Sequence, residues 1–338
     1  MEAIINQQLL KFLLDNELIP KYQYGFIKGN DVGTIACLKD AIGKWILDAE
    51  KGKNTVITSF DLSSAFPSVD VDLVLKKMEA IGVQQNSLKW FANYFDYRIV
   101  TTKVDDEISD KIKTEKQVSE GSALSSTIFI LHVCDINEYL QYATSSSFAD
   151  DQTQAVSHND IDVAIKRAEI DANAVVNYFK ANKFKVQPSK TSMIIIRAKR
   201  AYNDKKKREI LVDSKKIKES SNFKMLGLII DFQLNFESHC NKIIAKSRRV
   251  LGAIKRLSPI ISTEAATKIL KSCLIGKVMY GGLFCLSKKK LRNQIEVLIM
   301  KAIRIIKHTK LSDKIKNVDL MESLKITPIE KLDIFLTL

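Results

Sequence analysis

The sequence predicts an α+β body of about 235 residues followed by an all-α basic module, and three observations carry that prediction. Up to Asn235, short β-prone runs alternate with amphipathic helical stretches; beyond it every periodic segment has helical spacing. Charge divides at the same place. Residues 1–235 carry 32 lysines and arginines against 31 acids, whereas residues 236–338 carry 21 against 8. The third observation is a pair of β-prone runs that end on carboxylates. VITSFD closes on Asp61, and SSSFADDQTQAV holds Asp150 and Asp151 side by side. The first reads as a buried strand delivering an acid at its end, the second as a hairpin turn presenting two.

Taken in order, Ile, Leu and Phe recur at helical spacing over residues 3–16, and Pro20 stops that helix. IACLKDAIGKWILDAEKG (35–52) is a second helix, ended by Gly52, and a strand follows over 55–61. VDLVLKKMEAIG is a helix closed at Gly82, and SLKWFANYFDYR (87–98) is another. Residues 99–118 alternate apolar and polar around the turn-forming VDDE, which predicts a β-hairpin. SALSSTIFILHVCDINEYLQY (122–142) reads as one long buried helix beginning just after Gly121. The Asp–Asp hairpin spans 145–157. An amphipathic helix over 160–183 then gathers Ala164, Ala168, Ala172, Val175, Val176 and Phe179 on one face. SMIIIRAK, EILVDSKKIKES and FKMLGLIID return to short strands, with the lysine-rich AYNDKKKRE as an exposed turn. NKIIAKSRRVLGAIKRL, TEAATKILKSCLIGKVMYG and LRNQIEVLIMKAIRIIKH are the helices of the last part. The expected domains are therefore 1–235 and 236–338.

Composition excludes several classes. With 46% apolar residues, 12 Gly and 5 Pro the chain is globular rather than disordered. No apolar run approaches the roughly 20 residues needed to span a bilayer. The acid-bearing amphipathic start, MEAIINQQLLKFLLDNEL, is unlike a signal or transit peptide. Cys37, Cys134, Cys240, Cys273 and Cys285 are scattered, without CxxC or nearby His spacing. They predict reduced thiols in an intracellular protein and no zinc knuckle. A near-neutral body that holds the acids, joined to a basic helical module, suits a nucleic-acid substrate; a basic surface kept for solubility is the bland alternative.

The aspartates carry the chemistry. Adjacent carboxylates repel, so a turn that places two together calls for a cation. Hard oxygen donors from two segments suit Mg²⁺, which takes its remaining ligands from water and substrate phosphates. Three such aspartates are what a two-metal phosphoryl-transfer site needs. Either segment alone is also what a turn-capping Asp or an exposed Asp–Asp turn produces.

In order, the segments resemble a reverse transcriptase of the non-LTR (LINE-type) retrotransposon family over about residues 1–310. LIPKYQYGFIKG resembles its fingers segment, FDLSSAFPSVD its first catalytic motif, and SFADD its second. VSEGSALSSTIFILHVCDI resembles the template- and nucleotide-positioning motif, and NYFKANKFKVQPSKT the helix-turn with its lysine. FKMLGLIID resembles the primer-grip hairpin, and HCNKIIAKSRRVLGAIKRL with KVMYGGLFC the thumb.

The resemblance implies a right-hand polymerase of fingers, an antiparallel palm and a helical thumb. It implies an RNA template, a DNA primer and dNTP as partners, no membrane, and a nuclear location for an active retroelement. Asp61, Leu62, Asp150 and Asp151 become the metal positions, for Mg²⁺ with Mn²⁺ as the alternative. Lys190 matches the lysine that protonates the pyrophosphate leaving group. Phe66 matches the ring that packs under the sugar and excludes a 2′-hydroxyl. Lys28, Glu120 and Gly121 line the nucleotide, the glycine fitting a helix N-terminus closely approached by substrate.

Two departures stand out. Ser119–Glu120 replaces the family's Pro-Gln, and Ile27 and Asn30 replace arginines, leaving Lys28 as the nearby cation. The alternative they keep open is a nucleic-acid-binding protein with the fold and weak or no polymerase activity. An RNA-directed RNA polymerase shares the palm chemistry but fits Phe66 and Ala149 less well. The chain is also expected to start downstream of a fingers strand usual in the family, so a longer parent protein with an endonuclease domain stays open.

Overall fold

A computed structural model describes residues 1–328 apart from 28, 30, 31, 64, 97, 115–117, 119, 120, 187–189, 199–205 and 286–288. The chain divides into two compact units, Met1–Ser221 and Asn222–Leu338.

The first unit opens with helices α1 (Glu2–Asp15) and α2 (Thr34–Glu50), then strands β1 (Asn54–Phe60) and β2 (Leu62–Ser63). Helices α3 (Val71–Ala80) and α4 (Gln85–Asp96) precede the short strands β3 (Arg98–Val100), β4 (Lys103–Val104), β5 (Glu107–Ile108) and β6 (Ile112–Thr114). Helix α5 (Ser125–Val133) leads to β7 (Thr144–Phe148), β8 (Asp151–His158) and α6 (Ile161–Ala181). Strands β9 (Lys185–Val186), β10 (Ser192–Ile196), β11 (Glu209–Val212) and β12 (Lys215–Lys218) complete it.

Strand β1 lies inside a four-stranded antiparallel sheet of order β10-β1-β8-β7. Its β-branched Thr55, Val56, Ile57 and Thr58 are all buried, as a strand flanked on both sides requires. Alternation sends Val56 and Phe60 into the main core, where they meet the Ala164–Ala168–Ala172–Val175–Val176–Phe179 face of α6. Helix α2 packs on β1 and β7. Both α3 and α6 start on capping aspartates: Asp70 accepts from the Leu73 N–H, and Asp160 from those of Asp162 and Val163. Each cap contributes about 1 kcal/mol.

Two expected helices are corrected, those over 122–142 and 263–281. The helix over 122–142 is short, ending at Val133, with only a 3₁₀ turn at Ile136–Tyr139 beyond. Side chains take the carbonyls that would have continued it: Lys77 and Tyr178 donate to the His132 carbonyl, and Tyr22 to that of Cys134. Asp171 then captures the N–H groups of Gln141, Tyr142 and Ala143. The hairpin expected over 99–118 is present, built as two nested ladders, β3–β6 outside and β4–β5 inside.

The second unit holds β13 (Asn222–Met225), β14 (Leu228–Asp231), α7 (Glu237–Leu257), α8 (Thr263–Ile269), α9 (Gly276–Cys285), α10 (Lys289–Ile306) and α11 (Asn317–Ser323). The β13–β14 hairpin groups with these helices in the second compact unit. Local bonds explain this. Tyr280 donates to the Leu226 carbonyl, the Ile229 N–H donates to His239 Nδ1, and Asp231 accepts from Gln233, Asn235 and Phe236 N–H. The helix expected over 263–281 is interrupted by a π turn at Leu270–Ile275 that keeps Leu270 and Leu274 buried. Among the described residues no helix is long and apolar enough to cross a membrane.

Candidate active site

The sheet register assembles the site. Phe60 of β1 pairs with Gln152 of β8, so the next residue, Asp61, leaves the sheet beside Asp151. Phe148 pairs with Asp151 across the β7–β8 turn, whose two loop residues are Ala149 and Asp150. On the other flank Ser59 pairs with Ser192 of β10, and two steps further that register reaches Asp61 and Lys190. Segments far apart in sequence thus deliver Asp61, Asp150, Asp151 and Lys190 to one end of one sheet.

Electrostatics follows from that placement. Lys190 Nζ lies 3.1 Å from Asp61 Oδ2, with both side chains about half exposed. Asp150 is half-buried and Asp151 exposed. The Cys37 thiol of α2 is pushed up to about 12, by burial first and then by the Asp40 and Asp151 carboxylates. The Asp151 charge is therefore felt on the α2 side of the turn. Ala149 holds a left-handed φ of 57° while buried. An alanine held there costs on the order of 1 kcal/mol, a strain that survives only where neighbours enforce it.

Leu62 pairs with Val186 of β9 and its side chain is buried, so it offers the site only its backbone. Phe66 is half-buried, its ring 5.2 Å from that of Phe129 in the core and 5.9 Å, edge-on, from that of Phe26. Gly121 has φ +82° and precedes α5 by a turn rather than opening it; nothing lies within 4 Å of where its Cβ would stand. Its backbone conformation, not a crowded approach, accounts for the glycine. Lys28 and Glu120 lie outside the described residues.

Among the described residues no three His, Cys, Asp or Glu side chains form a metal cage by themselves. The donor set nevertheless suits Mg²⁺. Carboxylates and a backbone carbonyl are hard oxygens, and Mg²⁺ is ordinarily held by one or two carboxylates plus waters and substrate phosphates rather than by an all-protein cage. Sequence reasoning missed one partner of this turn. The segment Tyr22–Gly25 lies along β7 through a parallel bridge between Gln23 and Ser147.

Residues 1–230 match the family described as reverse transcriptase (RNA-dependent DNA polymerase). Among solved structures, telomerase from Candida albicans in complex with a TWJ fragment of telomeric RNA is similar at 11% identity and a TM-score of 0.51. That match covers 96% of this chain and 59% of that one. Apo telomerase from Candida tropicalis is similar at 12% identity and a TM-score of 0.48, over 91% of this chain and 50% of that one. The Candida albicans likeness is one of fold. The chain spans between half and three-fifths of the length of these proteins. No curated protein matches it.

Proposed function

The chain belongs to the reverse transcriptase (RNA-dependent DNA polymerase) family, and from that premise we propose that it is the polymerase of a non-LTR, LINE-type retrotransposon. The proposed reaction is attack of a DNA primer 3′-oxygen, on an RNA template, at the α-phosphate of a dNTP. Asp61, Asp150, Asp151 and the Leu62 backbone would hold two Mg²⁺ ions, with Mn²⁺ as the alternative, which when bound activate the attacking oxygen and neutralise the leaving one.

The remaining roles fall to the chain's own groups. Lys190, held against Asp61, carries a proton at Nζ that it can give to the departing pyrophosphate oxygen. Phe66, backed by Phe129, presents a ring that a ribose 2′-hydroxyl would strike. The basic residues of 236–338 bind the RNA–DNA hybrid through its phosphates, hence without sequence preference. Nuclear action on a primer is part of the same proposal.

The observation that supports this reading best is the register that brings Asp61 to Asp151 on one side and to Lys190 on the other. Primer extension by the purified chain on an RNA template tests it, with dNTPs compared against NTPs. Metal-dependent dNTP incorporation that Asp61→Asn abolishes is the expected result. Hybrid binding without any extension would favour a binding protein that keeps the fold without the activity, the reading to which Ser119–Glu120 points.

A further inference from the structure

The turn that presents Asp150 is fastened from outside the sheet. Residues 22–24 run parallel to β7: the Ser147 N–H donates to the Tyr22 carbonyl at 2.8 Å, and the Tyr24 N–H donates to the Ser147 carbonyl at 2.8 Å. Between these bonds the Gln23 side chain, only 4% exposed, turns toward the loop. Its Oε1 accepts from the Gly25 N–H at 2.9 Å and from the Ala149 N–H at 3.1 Å. One carboxamide oxygen has two lone pairs, and both are used on backbone donors.

Gly25 completes the contact. A Cβ there would overlap the Ala149 nitrogen and stand 3.1 Å from the Phe148 carbonyl carbon, so glycine alone lets the two backbones meet. The strap is itself anchored. Tyr24 donates its hydroxyl proton to Asp40 Oδ2 of α2 at 2.8 Å, and the Gly33 N–H donates to the Tyr24 carbonyl at 3.0 Å. The next residue along, Phe26, meets Phe66. Ala149 is the residue whose left-handed backbone needs enforcement, and Asp150 directly follows it.

We propose that Gln23 is a positioning residue for the nucleotidyl-transfer site: its side-chain oxygen, with the bare face of Gly25, fixes the left-handed Ala149 and thereby sets where Asp150 presents its carboxylate. The proposal rests on the polymerase reading above. A carboxylate displaced by about 1 Å loses about 100-fold in rate, and a buried N–H left without an acceptor drives the loop to move.

Three variants and readouts independent of turnover test this. Gln23→Met keeps the volume and removes the acceptor; Gln23→Glu keeps an oxygen in place; Gly25→Ala pushes on Ala149 while leaving Gln23 intact. In Gln23→Met, hydrogen exchange at the Ala149 amide should rise at least about tenfold while the β1 and β8 amides keep their protection. The Mn²⁺ concentration for half-saturation, read by electron paramagnetic resonance, should rise several-fold in Gln23→Met and Gly25→Ala. In both, kcat should fall about 100-fold with hybrid affinity unchanged. Gln23→Glu should restore Ala149 protection.

Unchanged exchange at Ala149, or a loss of protection spread over the whole sheet, overturns the proposal, as does an unaltered metal midpoint. If Gln23→Met does not fold, Gly25→Ala decides by the metal midpoint. A wild type that extends no primer removes the polymerase reading and the catalytic half of this one. The exchange result then still decides whether Gln23 fixes the loop.

Discussion

Lys190 faces Asp61 on two independent counts: its Nζ lies 3.1 Å from Asp61 Oδ2, and the β1–β10 register continued past Ser59–Ser192 arrives at the same two residues. An ion pair as exposed as this contributes under about 1 kcal/mol, so stability is a poor reason for it. In the proposed reaction, proton delivery is a better one. Lys190→Met should lower kcat by about 10²–10⁴ with little change in KM for dNTP. Its melting temperature should stay within about 2 °C of wild type. Single-nucleotide extension at varied dNTP checks this, and an unchanged kcat would return Lys190 to a plain surface charge.

Phe66 joins core to surface, with one ring neighbour fully buried and the other half exposed. Phe66→Ala should therefore have two separable effects. Loss of packing on Phe129 should cost about 1–3 kcal/mol, read from urea denaturation. Removal of the ring should let NTPs in, so the ratio of kcat/KM for dNTP over NTP should collapse while dNTP use changes only a few-fold. A destabilised variant with unaltered sugar preference would mean that the ring serves the core alone.

What the sequence made legible was local. The six apolar residues of the α6 face are all buried, and β1, the Asp–Asp hairpin and α6 stand where periodicity put them. Strands and amphipathic helices announce themselves because one face or both must leave water. The early end of α5 was hidden because the groups that end it, Tyr22, Lys77 and Tyr178, come from distant parts of the chain. The pairing of Asp61 with Lys190 needed a register that no spacing rule supplies. Gln23 was invisible for the same reason. A glutamine in a loop carries no pattern, and the close approach of Gly25 to Ala149 shows only in the fold.

Glu120, outside the described residues, precedes the left-handed Gly121 and stands where the resemblance implies a neutral amide meeting the incoming nucleotide. Like charges in a partly desolvated site repel by about 1 kcal/mol or more, roughly fivefold in affinity. Glu120→Gln should thus lower the KM for dNTP about fivefold, with a smaller change in kcat, because the repulsion acts on the bound ground state as well as on the transition state. Steady-state extension at varied dNTP checks it. An unchanged KM would remove Glu120 from the nucleotide's surroundings.

His132 gives the fold a signature in pH. Its ring is fully buried beside Phe184, and the Lys77 ammonium donates to the His132 backbone carbonyl. Burial first, then the Lys77 charge, holds its pKa down to about 4 from 6.5, against smaller opposing effects from the Asn182 carbonyl, Asp135 and Asp70. In the unfolded chain the ring binds a proton below pH 6.5, while in the folded one it stays neutral until about 4. The unfolded state therefore gains protons first as pH falls. The stability that His132 contributes is complete above pH 6.5 and is lost progressively toward pH 4, by at most about 1.4 kcal/mol per unit. His239, held down to about 4 by burial and then by Lys242 and Lys246, adds a slope of the same sign in the second unit. Urea midpoints at pH 4.5, 5.5 and 6.5 should fall with pH in wild type and fall less steeply in His132→Gln, with the residual slope reduced further by His239→Gln. If His132→Gln leaves the slope unchanged, the folded ring is already protonated and must have an acceptor for its second N–H.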